Sequence, residues 1–283
     1  MNMDMLVTCE WLAGEMDSPD LKIVDATSFL PGTPRDPHGE YLEAHIPGAL
    51  FLDLSTLCDA DDPRPATVPT NAQFEARMAA LGIGADDRIV VYDNSPLVSS
   101  GRAWWLFRLF GATEVAILDG GLAGWMAQER PVEQGVVSPV PAKRPFKAAR
   151  DDAQVKGKAD LLANLASCAA QVVDARGAAR FSGADPEPRP GMGSGHIPGS
   201  RNMPTGKMLD GGLWKQGDAL RESFAEAGVD LDRPLIMSCG SGVTACNLLF
   251  GAALLGKHDV TIYDGSWSEW GADPETPKAT GPA

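Results

Sequence analysis

Short apolar runs alternate with amphipathic stretches along the chain. In the first half, four runs have the length and the apolar content of buried strands: 21–25, 49–52, 88–92 and 115–118. Between them, residues 71–81 and 100–110 carry apolar side chains at helical spacing. Thr70 followed by Gln73 predicts a capping box at the start of the first helix. The alternation predicts an α/β protein with a mostly parallel sheet that is covered by helices on both faces.

Three motifs occur twice, in the same order and at nearly the same offset, which predicts an internal duplication. The matched pairs are His-Ile-Pro-Gly at 45–48 and 196–199, Val-Asp-Ala at 24–26 and 173–175, and Asp-Gly…Trp at 119–125 and 264–270. The duplication predicts two domains, 1–137 and 158–283, each with a five-stranded sheet. Prolines and charges in 138–157 predict a linker between them.

One cysteine lies where this fold class places active sites. Cys239 follows the strand predicted at 235–238 and precedes a small-residue loop and a helix that extends to Leu255. The helix N-terminus and the loop N–H groups favour a thiolate, and Gly240 and Gly242 let the backbone curve around it. The alternative is a buried structural cysteine beside a glycine turn. The strand–cysteine–loop–helix order favours a nucleophile.

The two copies differ at this position. The alignment of the second copy on the first places Asp93 where the second copy has Cys239. The first copy therefore lacks the thiol, and we expect only the second copy to be catalytic.

Composition limits the classes of partner. The chain has 283 residues, with 24 basic and 38 acidic side chains and a formal net charge of −14, which argues against nucleic acid or an anionic membrane as the main partner. Its five cysteines form no Cys-x-x-Cys pair, so we expect neither a disulfide framework nor a zinc site. The N-terminus has no secretory pattern, and no apolar stretch is long enough to cross a bilayer. We predict a cytoplasmic protein without a membrane span.

The paired His-Ile-Pro-Gly motifs, the aspartate in place of cysteine and the Asp-Gly…Trp motifs resemble the two-domain rhodanese family of sulfurtransferases over essentially the whole chain. The resemblance implies two tandem rhodanese-like domains, the first non-catalytic. The loop at 239–244 (CGSGVT) is similar to the 3-mercaptopyruvate sulfurtransferase branch. The thiosulfate-using branch typically has basic residues at the positions of Gly240 and Ser241.

The segment 180–189 also matches that branch, which implies that Arg180 and Arg189 bind the carboxylate and keto groups of the substrate. Charge supports the same preference: two arginines can hold one carboxylate by paired hydrogen bonds, whereas the loop has no cation for dianionic thiosulfate. The loop residues expected to bind substrate and sulfur through their backbone are Gly240, Gly242, Val243 and Thr244.

The mechanism that this implies is a ping-pong sulfur transfer through a Cys239 persulfide, with release of pyruvate. The acceptor would be cyanide or a thiol such as thioredoxin, and neither a metal nor an organic cofactor is needed. The resemblance also implies a proton relay of Ser241, His45 and Asp36. The alternative is that His45 only packs in its turn, as we expect of His196.

Three rival functions are open to such a sequence. A thiosulfate sulfurtransferase would lack its basic loop residues here. A cysteine phosphatase needs an arginine six positions after the cysteine, and this chain has Ala245 there. A non-enzymatic sulfur carrier or interaction module would not require Cys239 together with the two arginines.

Overall fold

The computed structural model describes residues 3–283 and divides into two compact units. Unit 1 contains the chain up to Ala60 together with Val68–Asp151. Unit 2 contains Asp61–Thr67 together with Asp152–Ala283. Both units are α/β domains, as the alternation of apolar runs and amphipathic stretches predicted.

Unit 1 is built on a parallel five-stranded sheet. Its strands are β1 (Leu6–Val7), β2 (Leu21–Asp25), β3 (Leu50–Phe51), β4 (Arg88–Tyr92) and β5 (Val115–Leu118), in the order β1-β5-β4-β2-β3. Its helices are α1 (Cys9–Glu15), α2 (Pro37–Glu43), α3 (Asn71–Ala80), α4 (Ser100–Leu109) and α5 (Gly121–Ala127). The four predicted strands are confirmed, the second of them shortened to two residues.

Unit 2 repeats this architecture. Its sheet strands are β6 (Val155–Lys156), β7 (Gln171–Asp174), β8 (Arg201–Asn202), β11 (Leu235–Ser238) and β12 (Val260–Tyr263), and a small antiparallel hairpin is formed by β9 (Leu209–Asp210) and β10 (Leu213–Trp214). Its helices are α6 (Lys158–Ser167), α7 (Ala178–Ser182), α8 (Gly217–Glu226), α9 (Ala245–Leu254) and α10 (Ser266–Trp270). The parallel order β6-β12-β11-β7-β8 matches unit 1 strand for strand, which confirms the duplication.

The capping box at α3 is also confirmed. Thr70 Oγ1 accepts the N–H of Gln73 at 3.3 Å, and the Thr70 N–H donates to Gln73 Oε1 at 2.7 Å. Two N–H groups at the helix start are thereby satisfied by side chains, so the local sequence alone sets where α3 begins.

Each unit has its own core around one nearly fully buried helix. In unit 1, α4 packs with Phe74, whose ring stacks on Phe110 at 4.2 Å between centroids. In unit 2, α9 is buried except at its last residue. Trp267 and Trp270 are buried in a core cluster with Ile236 of β11 and Tyr263 of β12. Each of these large side chains contributes about 1.5–3 kcal/mol by burial. Trp267 and Trp270 are therefore core residues.

The segment predicted as a linker, 138–157, is packed rather than free. Phe146 is buried against Phe74, with ring centroids 5.4 Å apart. The chain crosses Gly82 so closely that a Cβ there would lie 2.1 Å from the Val140 carbonyl oxygen, and Gly82 has φ +63°. The end of the segment forms β6 in the second sheet. Phe146 is one aromatic residue among many prolines and charged residues, so the composition of the segment alone indicated a linker.

Candidate active site

Cys239 follows directly after β11, at the carboxyl end of the parallel sheet of unit 2. It is 2% exposed. Its backbone N–H donates to Ser266 Oγ at 3.2 Å, and its carbonyl oxygen accepts the N–H of Trp267 at 2.9 Å. Both partners lie in α10, so backbone contacts with that helix fix the position of the thiol.

The loop after Cys239 offers unused backbone donors. Within residues 3–283, four of its N–H groups have no protein acceptor: those of Gly240, Ser241, Val243 and Thr244. Gly242 has φ +77°, a conformation that glycine adopts at little cost. Gly240 differs from the expectation, because its φ is not left-handed. Its role is instead to leave space for Arg180, since glycine has no side chain. A Cβ there would lie 3.1 Å from Arg180 Nη2.

Asp93 holds the corresponding position in unit 1, directly after β4. Its carboxylate accepts the N–H of Ser95 at 2.8 Å and the N–H of Ser100 at 2.9 Å. Burial raises the pKa of Asp93, and these donors oppose the rise. A carboxyl group built into the chain thus uses one N–H group of the loop before α4 and one at the start of that helix, whereas unit 2 leaves N–H groups of the Cys239 loop open.

Arg180 and Arg189 both approach the Cys239 loop. Arg180 lies in α7, with its Nη2 beside Gly240. Arg189 lies in the irregular segment that follows and donates from Nη1 to Ser268 Oγ at 3.3 Å. The Ser268 hydroxyl in turn donates to the Gly240 carbonyl oxygen at 2.6 Å. Two guanidinium groups therefore flank one loop residue.

The electrostatics of Arg189 reflect this crowding. Burial and, next, the positive charge of Arg180 lower the pKa of Arg189, whereas the Cys239 sulfur and the Glu187 carboxylate raise it. Arginine remains charged under all ordinary conditions. Arg189 is thus a half-buried cation whose nearest polar side-chain partner is a neutral hydroxyl, an arrangement suited to an anionic ligand.

Glu187 belongs to this site but was missed in the sequence. Its side chain is 2% exposed; Oε1 accepts from Arg176 Nη1 at 2.7 Å, and Oε2 accepts from Arg180 Nη2 at 2.5 Å. Arg176 is also buried and pairs with Asp174. The only sequence signal is an acidic residue between two prolines just before Arg189, which reads equally well as an exposed loop charge.

His45 is fully buried in unit 1. Its Nδ1 lies 2.7 Å from the Tyr41 carbonyl oxygen, and its ring stacks on that of Tyr41 at 4.1 Å. Because a carbonyl oxygen can only accept, Nδ1 carries the proton, and Nε2 of the neutral ring carries the lone pair. Nε2 has no hydrogen-bond partner among the described residues, and the Glu133 carboxylate is 3.8 Å away. His196 makes the same kind of bond in unit 2, from Nδ1 to the Phe181 carbonyl oxygen at 2.9 Å.

The other two residues of the predicted relay are Asp36 and Ser241. Asp36 is exposed and caps α2, where its Oδ1 accepts the N–H of His38 at 3.1 Å. A direct bond between Asp36 and His45 does not occur among the hydrogen bonds of residues 3–283. Ser241 is a loop residue of unit 2, whereas His45 and Asp36 belong to unit 1. The local cap explains the position of Asp36, because a carboxylate before a helix bonds its first free N–H groups.

Residues 3–283 contain no group of three or more His, Cys, Asp or Glu side chains that could hold a metal ion. None of their helices is long and apolar enough to cross a membrane.

Known proteins match this chain over nearly its whole length. A family model described as rhodanese-like domain matches residues 8–128 and 158–273. Human 3-mercaptopyruvate sulfurtransferase is 44% identical over 272 residues, which cover 94% of this chain and 91% of the human protein. The thiosulfate sulfurtransferase of Cricetulus griseus is 42% identical over 281 residues, covering 96% and 94%. The crystal structure of SseA from Escherichia coli, a 3-mercaptopyruvate sulfotransferase, matches with a TM-score of 0.85 and 41% identity over 94% of this chain and 100% of that one. Overall sequence identity is thus nearly the same for the two kinds of enzyme. The residues around Cys239 are the basis on which they can be distinguished.

Proposed function

Because the chain belongs to the rhodanese-like domain family, we propose that it is a 3-mercaptopyruvate sulfurtransferase. It takes sulfur from 3-mercaptopyruvate, carries it as a persulfide on Cys239 and delivers it to a thiol or cyanide, with release of pyruvate. The observation that carries the proposal is the pair Arg180 and Arg189 beside a cysteine loop that has no basic side chain of its own.

The donor preference follows from charge and shape. 3-Mercaptopyruvate has one carboxylate and one keto oxygen, and guanidinium groups bind such oxygens through paired, directed N–H donors. Gly240 admits Arg180 to the loop, since a side chain at that position would approach its Nη2. Thiosulfate is a compact dianion that would gain from a cation in the loop itself. A thiosulfate sulfurtransferase is the second candidate, favoured by the 42% identity to the Cricetulus griseus enzyme.

The first half-reaction forms the persulfide. The Cys239 thiolate attacks the sulfur of the donor; the new S–S bond forms as the carbon–sulfur bond breaks, and the electron pair of that bond passes to the enolate of pyruvate. Arginine donors stabilise the enolate oxygen, and the proton of the donor thiol goes to carbon to give pyruvate. The open N–H groups of Gly240, Ser241, Val243 and Thr244 hold the negative charge on sulfur before and after the transfer.

The second half-reaction returns the free enzyme. An acceptor such as a thioredoxin thiolate, another thiol or cyanide attacks the outer sulfur, and Cys239 leaves as a thiolate. Every bond change involves only the donor, the acceptor and the enzyme sulfur, so the scheme uses neither a metal nor an organic cofactor. All five cysteines are free thiols, which supports a reducing compartment, the cytoplasm, as the place of action.

The relay of Ser241, His45 and Asp36 is part of the proposal. His45 would act through Nε2, the ring nitrogen that carries the lone pair, by accepting the proton of the Ser241 hydroxyl while the Ser241 oxygen takes the proton of the donor thiol. Asp36, which caps α2 here, would contribute by its charge. The local bond of Nδ1 to Tyr41 supports this tautomer.

Steady-state kinetics with both donors test the proposal. The purified chain is assayed with 3-mercaptopyruvate or thiosulfate and cyanide as acceptor, and pyruvate and thiocyanate are measured. We expect kcat/KM for 3-mercaptopyruvate to exceed that for thiosulfate by at least about tenfold, the effect of one well-placed charged hydrogen bond. Cys239→Ser should be inactive with both. A preference for thiosulfate would select the second candidate, and no turnover with either donor would indicate a binding module.

A further inference from the structure

Glu187 is a buried carboxylate shared by two arginines. Its Oε1 accepts from Arg176 Nη1 at 2.7 Å, and its Oε2 accepts from Arg180 Nη2 at 2.5 Å, with Arg180 Nε at 3.3 Å from Oε1. Arg176 has further partners in Asp174 and in the Gly195 carbonyl oxygen. These further partners would hold Arg176 in place even if Glu187 were removed. The position of Arg180, in contrast, depends on its bond to Glu187.

This contact fixes the guanidinium group of Arg180. Two of its nitrogens, Nε and Nη2, face the carboxylate, so the planar group has one orientation. Arg180 keeps Nη1 for a ligand, since no acceptor within residues 3–283 takes that nitrogen. A rigid arginine loses less freedom when substrate binds than a mobile one.

Glu187 also sets the charge of the cluster. Apart from the Cys239 sulfur, the cluster has three guanidinium groups (Arg176, Arg180 and Arg189) and two carboxylates (Asp174 and Glu187), and these five side chains carry one net positive charge. Arg189, whose polar side-chain partner is the neutral Ser268, holds the excess charge. One surplus positive charge complements a donor with one carboxylate better than it complements a dianion.

From these contacts we infer that Glu187 is a positioning residue that determines donor selectivity. It holds Arg180 beside Gly240 and cancels one positive charge near Cys239, so the site favours a monoanionic keto acid over a dianionic donor. The inference rests on the proposed function for its substrates, but the charge argument applies to any pair of anions with one and two charges.

Glu187→Gln tests the inference, because glutamine keeps the size and one acceptor oxygen while it removes the charge. The measurement is kcat/KM for 3-mercaptopyruvate and for thiosulfate, with circular dichroism as a check of folding. We expect the thiosulfate-to-3-mercaptopyruvate ratio to rise about tenfold, with most of the change in KM, because the cluster gains a second net positive charge. Glu187→Asp, which keeps the charge, should retain the wild-type ratio even where both rates fall.

A matched surface variant and a binding measurement complete the test. Glu226→Gln also removes one negative charge from unit 2, at an exposed ion pair with Lys207, and should leave the ratio unchanged. Calorimetric titration with pyruvate and with sulfate needs no turnover, and Glu187→Gln should shift relative affinity toward sulfate. Equal losses for both donors and both anions in Glu187→Gln would overturn the inference. Failure of the wild type to use either donor would instead count against the proposed function, and the titration would still decide the role of Glu187.

Discussion

Asp93 in unit 1 and Cys239 in unit 2 occupy the same place in two sheets of identical strand order. Each follows the central strand of its sheet and precedes a loop that leads into a buried helix. The Asp93 carboxylate already accepts the N–H groups of Ser95 and Ser100. Unit 1 therefore supplies its own acceptor for these donors, whereas unit 2 presents a thiol and open loop amides to an outside ligand.

Replacement of Asp93 by alanine should lower stability and leave the turnover of the folded enzyme intact. The N–H groups of Ser95 and Ser100 would lose their acceptor, at a cost of about 1–3 kcal/mol in the free energy of unfolding. Urea denaturation measures that cost, and kcat/KM measures the activity. Asp93→Asn, which keeps one acceptor oxygen, should lose less. A strong loss of kcat in folded Asp93→Ala would assign Asp93 a role in catalysis, against this account.

Asp25 should make stability fall as the pH rises. It is 1% exposed, and burial raises its pKa from 3.8 to about 6, against the N–H of Thr27 at 2.8 Å. Because the folded state has the higher pKa, its stabilising effect is full below about pH 4 and is lost as the pH rises through 6. The shift corresponds to about 3 kcal/mol.

Asp25→Asn should remove this dependence, since asparagine keeps an oxygen for the Thr27 N–H. Relative to wild type, its unfolding free energy should rise by about 3 kcal/mol between about pH 4 and pH 7. Urea titrations at several pH values measure the difference. A difference that does not change with pH would show that Asp25 titrates normally.

Replacement of Asp174, the counterpart of Asp25 in unit 2, should lower the free energy of unfolding at neutral pH. Its carboxylate pairs with the buried Arg176, with Nη2 at 2.6 Å from Oδ2. Asp174→Asn would leave a buried guanidinium with one partner fewer and should destabilise the protein by about 3–5 kcal/mol at neutral pH. Denaturant unfolding at pH 7 measures this, and a stabilised Asp174→Asn variant would contradict the account.

His45 and His196 form a natural matched pair, because each bonds a backbone carbonyl through Nδ1 and stacks on an aromatic ring. If His45 takes part in a proton relay, His45→Gln should lower kcat by about 10²-fold or more beyond its effect on stability. His196→Gln should lower stability alone. The pH profile of kcat in His45→Gln should also change. Equal effects of the two substitutions would show that His45 has only a packing role and would exclude the proposed relay.

Local sequence was sufficient to predict the helices and strands and the position of Cys239 in the fold. Apolar runs predicted β2, β4 and β11, and the Thr70–Gln73 pair predicted the start of α3. The repeated motifs predicted the duplication. These features depend on residues that are neighbours in the chain. They could therefore be predicted without knowledge of tertiary contacts.

Long-range contacts account for what the sequence did not predict. Glu187 acquires its role only because Arg176 and Arg180 meet around it, and its charge alone is typical of a surface loop. Phe146 anchors a segment whose prolines and charges indicated a linker. In each case the partner is set by the fold rather than by spacing along the chain.

The central claim is that Cys239 carries sulfur taken from 3-mercaptopyruvate. Intact-mass spectrometry after brief exposure to that donor, without acceptor, tests it most directly when pyruvate is assayed in the same sample. The account predicts one added sulfur atom per chain, an equal amount of pyruvate, loss of the added mass on treatment with cyanide, and none of these in Cys239→Ser. An unchanged mass with 3-mercaptopyruvate, or an equal gain in Cys239→Ser, would contradict it.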